Sequence, residues 1–238
     1  MQPHREGNDM QVAVMPLSLG GLARWGGATT VLVCAVCIAW VDLPAARWLH
    51  QQAWDTHDWM LRLLGVPVVV SILLGVYLLV HLIGSPRTEQ SLRARRLYLL
   101  GLGMMVALAA KTMLKIAFGR TWPRLVSDPI PGQLPSECSA ATCGYVNDSV
   151  HAFVPFAGSL KAYSAFPSGS TALLLAVVVP CMVWLPRLRW YLAYFAIFSL
   201  ACYVATNTHF ISDVVAGAYV GLLCGTGVVV ADRGSVRV

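Results

Sequence analysis

Charge is what this chain has least of. Only 12% of its 238 residues are Asp, Glu, Lys or Arg, whereas a soluble domain averages about 25%. With 57% hydrophobic residues and a mean hydropathy of +0.65, that scarcity excludes an ordinary soluble domain and indicates an integral membrane protein. The sequence also lacks internal repeats, low-complexity tracts and any stretch long enough for a second domain. No second Cys/His pair with regular spacing accompanies Cys138 and Cys143, which argues against a zinc centre. A disulfide scaffold is equally absent: Cys34, Cys37, Cys181, Cys202 and Cys224 fall in apolar segments, as small core residues do. The formal net charge of +6 is modest. Its cations lie between hydrophobic segments rather than on one soluble face, so no nucleic-acid partner is expected.

What is present is a set of six apolar segments, at about 27–44, 61–83, 97–118, 168–185, 190–207 and 212–231. The expected fold is all-α, a polytopic membrane bundle of six transmembrane helices. Residues 1–26 form an N-terminal tail, 27–231 the membrane domain and 232–238 a C-terminal tail, with 119–165 a long polar loop inside the domain. Ala45 and Ala46 after the first segment imitate a signal-peptide cleavage site, but the length of that segment and the segments after it favour an uncleaved helix. Basic residues orient the bundle. Arg87, Arg93, Arg95, Arg96, Arg187, Arg189, Arg233 and Arg237 fall on one side of a six-helix topology, which the positive-inside rule makes cytoplasmic together with both termini. The expected setting is a bacterial inner (plasma) membrane, with the 119–165 loop on the periplasmic or outer side. In that oxidising space Cys138 and Cys143 either close a disulfide or remain two free thiols.

Three polar clusters fall on the non-cytoplasmic side. Lys111 and Lys115, four residues apart, share a helix face, and Arg120 and Arg124 follow them. Charges in membrane segments are costly and usually functional, although lysines near a helix end also reach headgroups by snorkelling. Arg120 has the fork geometry for bidentate phosphate binding, and Lys115 supplies a point charge. The second cluster is Phe166-Pro167-Ser168-Gly169-Ser170-Thr171. It is a helix start whose first amides have no intrahelical partner and whose dipole attracts anions, or else simply a turn and N-cap. The third is Asn207, His209 and Asp213. At i, i+4 spacing Asp213 fixes one imidazole nitrogen and leaves the other free as base or nucleophile, or it caps the last helix.

The ordered set Lys115…Arg120-Thr121-Trp122-Pro123, Pro167-Ser168-Gly169 and His209-Phe210-Ile211-Ser212-Asp213 resembles the type 2 phosphatidic acid phosphatase superfamily, which includes vanadium haloperoxidases. The resemblance covers roughly 97–231. It implies a helical bundle that acts without a metal cofactor on lipid phosphates or pyrophosphates. His209 would form a phosphohistidine, Asp213 would orient it, and Lys115, Arg120, Ser168, Gly169 and Ser170 would hold the phosphoryl oxygens. Three positions depart from the family pattern. Trp122 stands where the first motif has Arg, Tyr203 where the third has Arg, and Ser170 where the second has the general-acid His. General acid–base catalysis contributes typically 10²–10⁴-fold. The loss of that His leaves three readings: a substrate with an easy leaving group, a substitute acid (His151 or Lys161, by proximity in sequence), or an impaired relative that binds lipid headgroups. The bet is a membrane lipid phosphatase or phosphotransferase whose substrate is a phospholipid, polyprenyl pyrophosphate or lipid A-type phosphate. A small transporter is the competing class, weakened because a pathway would place some polar groups at the midplane.

Overall fold

The computed structural model describes residues 19–52, 69, 76, 92–124, 145–148, 151–157 and 161–234. Most of the expected second segment, 61–83, and the loop cysteines Cys138 and Cys143 lie outside those residues. Among the described residues the chain is helical and forms no strand. Five long helices dominate: α1 Leu19–Gln51, α2 Leu92–Phe118, α3 Gly169–Trp184, α4 Arg189–Ala205 and α5 Ile211–Gly234. Among the described residues four helices are long and apolar enough to cross a membrane: α1, α2, α5, and α4 taken with the turn before it as Pro186–Ala205. Exposed apolar side chains such as Val31, Trp40, Met113, Trp190 and Ile197 suit a lipid-facing surface rather than a watery one.

α1 is longer than its expected span, and α3 matches its expected segment but is short for a crossing. α1 runs past Pro44 to Gln51. A π-turn at Cys37–Val41 precedes Pro44, so the proline falls where the regular hydrogen-bond ladder is already interrupted. Beyond that turn Asp42, Ala46 and Leu49 share one buried face. α3 has only 16 residues, about 24 Å, shorter than the roughly 20 residues a span needs. Its N-cap Ser168 is fully buried, so this helix begins inside the bundle rather than at an aqueous surface.

A glycine stripe on α5 sets the position of α3. Gly217, Gly221 and Gly225 recur every fourth residue on one face. A Cβ at Gly221 would stand 2.5 Å from the Ala172 carbonyl oxygen, and one at Gly225 2.8 Å from Val179 Cβ. A Cβ at Gly217 would strike the Ser168 carbonyl. This is small-residue packing, by which membrane helices approach closely where apolar burial alone gives no drive. α2 closes the group through Met104 and Ala107 against Leu173 and Ala176.

The ends of the bundle differ in character. At one end Arg95 donates to the Ala231 and Asp232 carbonyls at 3.2 and 3.0 Å. Arg96 Nε and Trp184 Nε1 both donate to Asp232 Oδ2, at 3.2 and 3.0 Å. This latch ties α2, α3 and α5. The C-terminus of α2, the N-termini of α3 and α5 and the C-terminus of α4 meet at the other end, and there the polar residues collect.

Candidate functional site

Gly119 ends α2 in a left-handed conformation, φ +53°. A Cβ there would collide with the Val154 carbonyl, so glycine is required where the chain turns inward. Arg120 is thereby driven into the interior, held by isolated bridges to Phe153 and Ser164. Its side chain is 0% exposed. Nη1 donates to Asp213 Oδ1 and Ser212 Oγ, both at 2.6 Å. Nη2 donates to Asp42 Oδ2 at 2.7 Å and to His151 Nε2 at 3.1 Å. The guanidinium carbon also lies 4.1 Å from the Phe210 ring centroid and 4.9 Å from that of Phe153. Sequence reasoning put Arg120 on the phosphate, whereas the structure commits both terminal nitrogens to protein groups. The fork that suits phosphate suits two carboxylates equally well, and the fully buried Asp42 and Asp213 claim it.

His209 sits on the turn between α4 and α5, 4% exposed. The backbone shapes this turn: His209 N–H donates to the Tyr203 carbonyl at 3.1 Å, and Asn207 takes φ +50°. His209 Nδ1 lies 3.5 Å from Asp213 Oδ2, an ion-pair contact without a closed hydrogen bond. That same oxygen accepts the Phe210 N–H at 3.0 Å, so Asp213 both caps α5 and faces the imidazole. The two sequence readings of Asp213 hold together. Burial holds the His209 imidazole below the usual histidine range; Asp213 pushes it back up, and Lys115 adds to the fall. Trp122 packs against the ring at a tilt, 5.0 Å and 38°, and Tyr203 meets it edge-on at 6.2 Å.

The helix start behaves differently from the expected cradle. Ser168 Oγ caps α3 by accepting from Thr171 N at 3.4 Å and bonds Thr171 Oγ1 at 2.9 Å. Ser168 N–H donates to the Asp213 carbonyl at 2.9 Å. Ser168 is thus spent on structure, which leaves the Gly169 and Ser170 amides as first-turn donors without an intrahelical acceptor. Glycine at 169 makes room for Lys111: a Cβ there would sit 3.1 Å from its Nζ. Lys115 Nζ donates to the Ser164 carbonyl and lies 5.2 Å from the Trp122 centroid. Lys115 therefore lies beside His209, and Lys111 lies behind it at the positive end of the α3 dipole.

Of the other expected residues, half-buried Ser170 faces the buried Tyr203 hydroxyl, which closes no hydrogen bond. His151 meets Tyr145, Phe153 and Phe210 edge-on and accepts from Arg120. Burial, and then the Arg120 charge, hold it below the usual histidine range. Lys161 opens a 3₁₀ turn, and its side chain lies outside the described residues. Arg124 Nη1 is buried without a partner. Among the described residues no cluster of His, Cys, Asp and Glu could hold a metal ion. Sequence reasoning gave no role to Asp42. The signal was available, since Asp42 is the one acidic residue of the first apolar segment, and a charge in a membrane segment is functional by default.

Apolar helices around a buried His–Asp–Arg–Asp network, with lysines at a helix start, define a helical membrane protein with a polar site buried at one end of its bundle. The chain belongs to the PAP2 superfamily, whose sequence model matches residues 96–236. Membership carries the coarse activity of that family, phosphatase chemistry on lipid-like phosphates. No curated protein and no solved structure matches the chain.

Proposed function

We propose that this protein is a membrane lipid phosphatase or phosphotransferase that works through a phosphohistidine on His209. The observation that carries the reading is the buried imidazole of His209, 3.5 Å from Asp213 Oδ2 and flanked by Lys115. The imidazole nitrogen remote from Asp213 leaves its hydrogen bond to the Ala165 carbonyl and attacks phosphorus as the bond to the leaving oxygen breaks. Asp213 balances the positive charge that the phosphorylated ring acquires. Lys111, Lys115 and the Gly169 and Ser170 amides take the phosphoryl oxygens. Water, or the hydroxyl of a second lipid, then displaces the histidine and accepts the phosphoryl group. Arg120 acts one layer back, fixing Asp213 rather than clamping phosphate. His151, neutral and turned on Arg120, supports that layer and is poorly suited to protonate a leaving group. A lipid pyrophosphate fits best, because its leaving group is itself a phosphate and needs little protonation. The proposed topology is six spans with segment 61–83 as the second, both termini cytoplasmic and the site on the periplasmic or outer face. The basic latch end at Arg95 and Arg96 supports that orientation.

A second reading has its own support. With Arg120 committed to carboxylates and Ser168 to its cap, a member that only binds lipid phosphate headgroups would need no better site. Detergent-purified protein assayed for phosphate release from phosphatidic acid and from undecaprenyl pyrophosphate separates the two. Release that His209→Ala abolishes supports the enzyme. Release that survives His209→Ala removes the phosphohistidine. Saturable binding of either lipid with no release favours the headgroup reading.

A further inference from the structure

The geometry points to Asp42, on α1 and outside the family-matched region, as a positioning residue for the chemistry at His209. It grips the turn that carries the nucleophile and gives the buried network its surplus negative charge. This inference rests on the reading of His209 as the phosphoryl acceptor.

One face of α1 holds the turn at both ends. At the far end Asp42 Oδ1 accepts the Ser212 N–H at 3.1 Å, and Oδ2 accepts the Ser212 hydroxyl. One helical turn along, the Ala46 carbonyl accepts Asn207 Nδ2 at 3.0 Å. Asn207 has φ +50°, so its conformation is held by this contact with α1. His209 lies between these two anchor points. Ala46 packs with Phe210 and Tyr145 in one apolar cluster, which keeps the α1 face seated.

Charge supplies the second half of the inference. Asp42, Arg120 and Asp213 are all essentially unexposed, at 1%, 0% and 0%. A single guanidinium between two carboxylates leaves one negative charge in excess. Asp213 with Arg120 alone would be neutral, and His209 would then face no net charge when phosphorylation makes its ring cationic. Other charges bear on the imidazole as well. Lys115 on α2 opposes the ring's positive charge, and Lys111 acts on Lys115. The Ala165 carbonyl accepts from the ring and favours its cationic form, Tyr203 on α4 faces the ring edge, Ser170 on α3 faces Tyr203, and His151 bonds Arg120 and feels the charges of Asp42 and Asp213. Asp42 bears on the ring through the guanidinium that it shares with Asp213.

Asp42→Asn keeps an oxygen for the Ser212 N–H and removes the charge. It is expected to lower kcat by about 10- to 100-fold with KM little changed. The His209 imidazole titration, followed by NMR in histidine-labelled protein in micelles and assigned with His209→Gln, should move to lower pH. Asp42→Glu, which restores the charge, should return the titration to its wild-type position. A role in packing alone would lower thermal stability and leave the titration in place, and that outcome overturns the inference. Should Asp42→Asn fail to fold, Ser212→Ala tests the grip with all charges retained: full kcat in that variant overturns it. The titration needs no substrate, so a wild-type protein that releases no phosphate defeats the proposed function while the NMR result still decides the role of Asp42.

Discussion

Removing Arg120 should be far more damaging to the fold than removing a phosphate ligand. Arg120→Gln keeps much of the side-chain volume but leaves Asp42 and Asp213 buried and facing each other without a cation. Both are at most 1% exposed, so water cannot replace the lost charge. Breaking a buried pair from one side costs about 3–5 kcal/mol. In a chain of this size each kcal/mol corresponds to roughly 2–4 °C, so the midpoint of thermal unfolding in detergent should fall by about 6 to 20 °C. The two carboxylates will share a proton, as close acids do, and Asp213 will no longer present a fixed negative oxygen to His209. Arg120→Lys retains one charge but not the fork. An ammonium cannot span Asp42 at 2.7 Å and Asp213 at 2.6 Å with the same geometry, so an intermediate loss of stability is expected. The assays are fluorescence-detected size exclusion after heating, alongside phosphate release over a range of substrate concentrations. If Arg120 instead binds phosphate, Arg120→Lys should keep wild-type stability and raise KM. An Arg120→Gln protein within about 1 kcal/mol of wild type would refute the buried network as drawn.

Gly221→Ala places a methyl 2.5 Å from the Ala172 carbonyl. It should cost about 1–3 kcal/mol through forced separation of α3 and α5, visible as a lower unfolding midpoint; an unchanged midpoint would contradict the close approach. Ser170→His introduces a general acid beside Tyr203 and should raise turnover on a lipid monophosphate more than on a pyrophosphate. An unchanged ratio between the two substrates would remove the leaving-group explanation. The pH dependence follows from His151 and His209, both held below the ordinary histidine value in the folded protein. The unfolded chain binds more protons below about pH 6.5, so stability should be level above that pH and decline as pH falls toward the folded values. Thermal midpoints between pH 5 and 8 check the sign, and a midpoint that rises on acidification would show that one of these rings is held protonated.

Composition and order carried a great deal of this protein. Low charge and long apolar runs define a membrane helix bundle because a bilayer admits little else, and that argument needs no tertiary contact. The spacing of His209 and Asp213, four apart at a helix start, was legible because helix geometry brings them together by itself. Local signals could not say what a side chain meets across the bundle. Arg120 reads as a phosphate clamp in one dimension. It becomes the pin of a buried network only because Asp42, 78 positions away, is folded against it. Ser168 reads as an anion seat, yet the close approach of Gly217 on α5 turns its backbone onto Asp213 and its hydroxyl into a cap. The bounds of α3 were legible, Gly169–Trp184 against an expected 168–185, but hydropathy does not distinguish a helix that starts at a membrane surface from one that starts inside the protein. Sequence determined the solvent, the secondary structure and the reactive residue types. The tertiary structure decided which charges those residues spend on one another and which remain for a ligand, because a buried charge takes whatever partner the packing brings within reach.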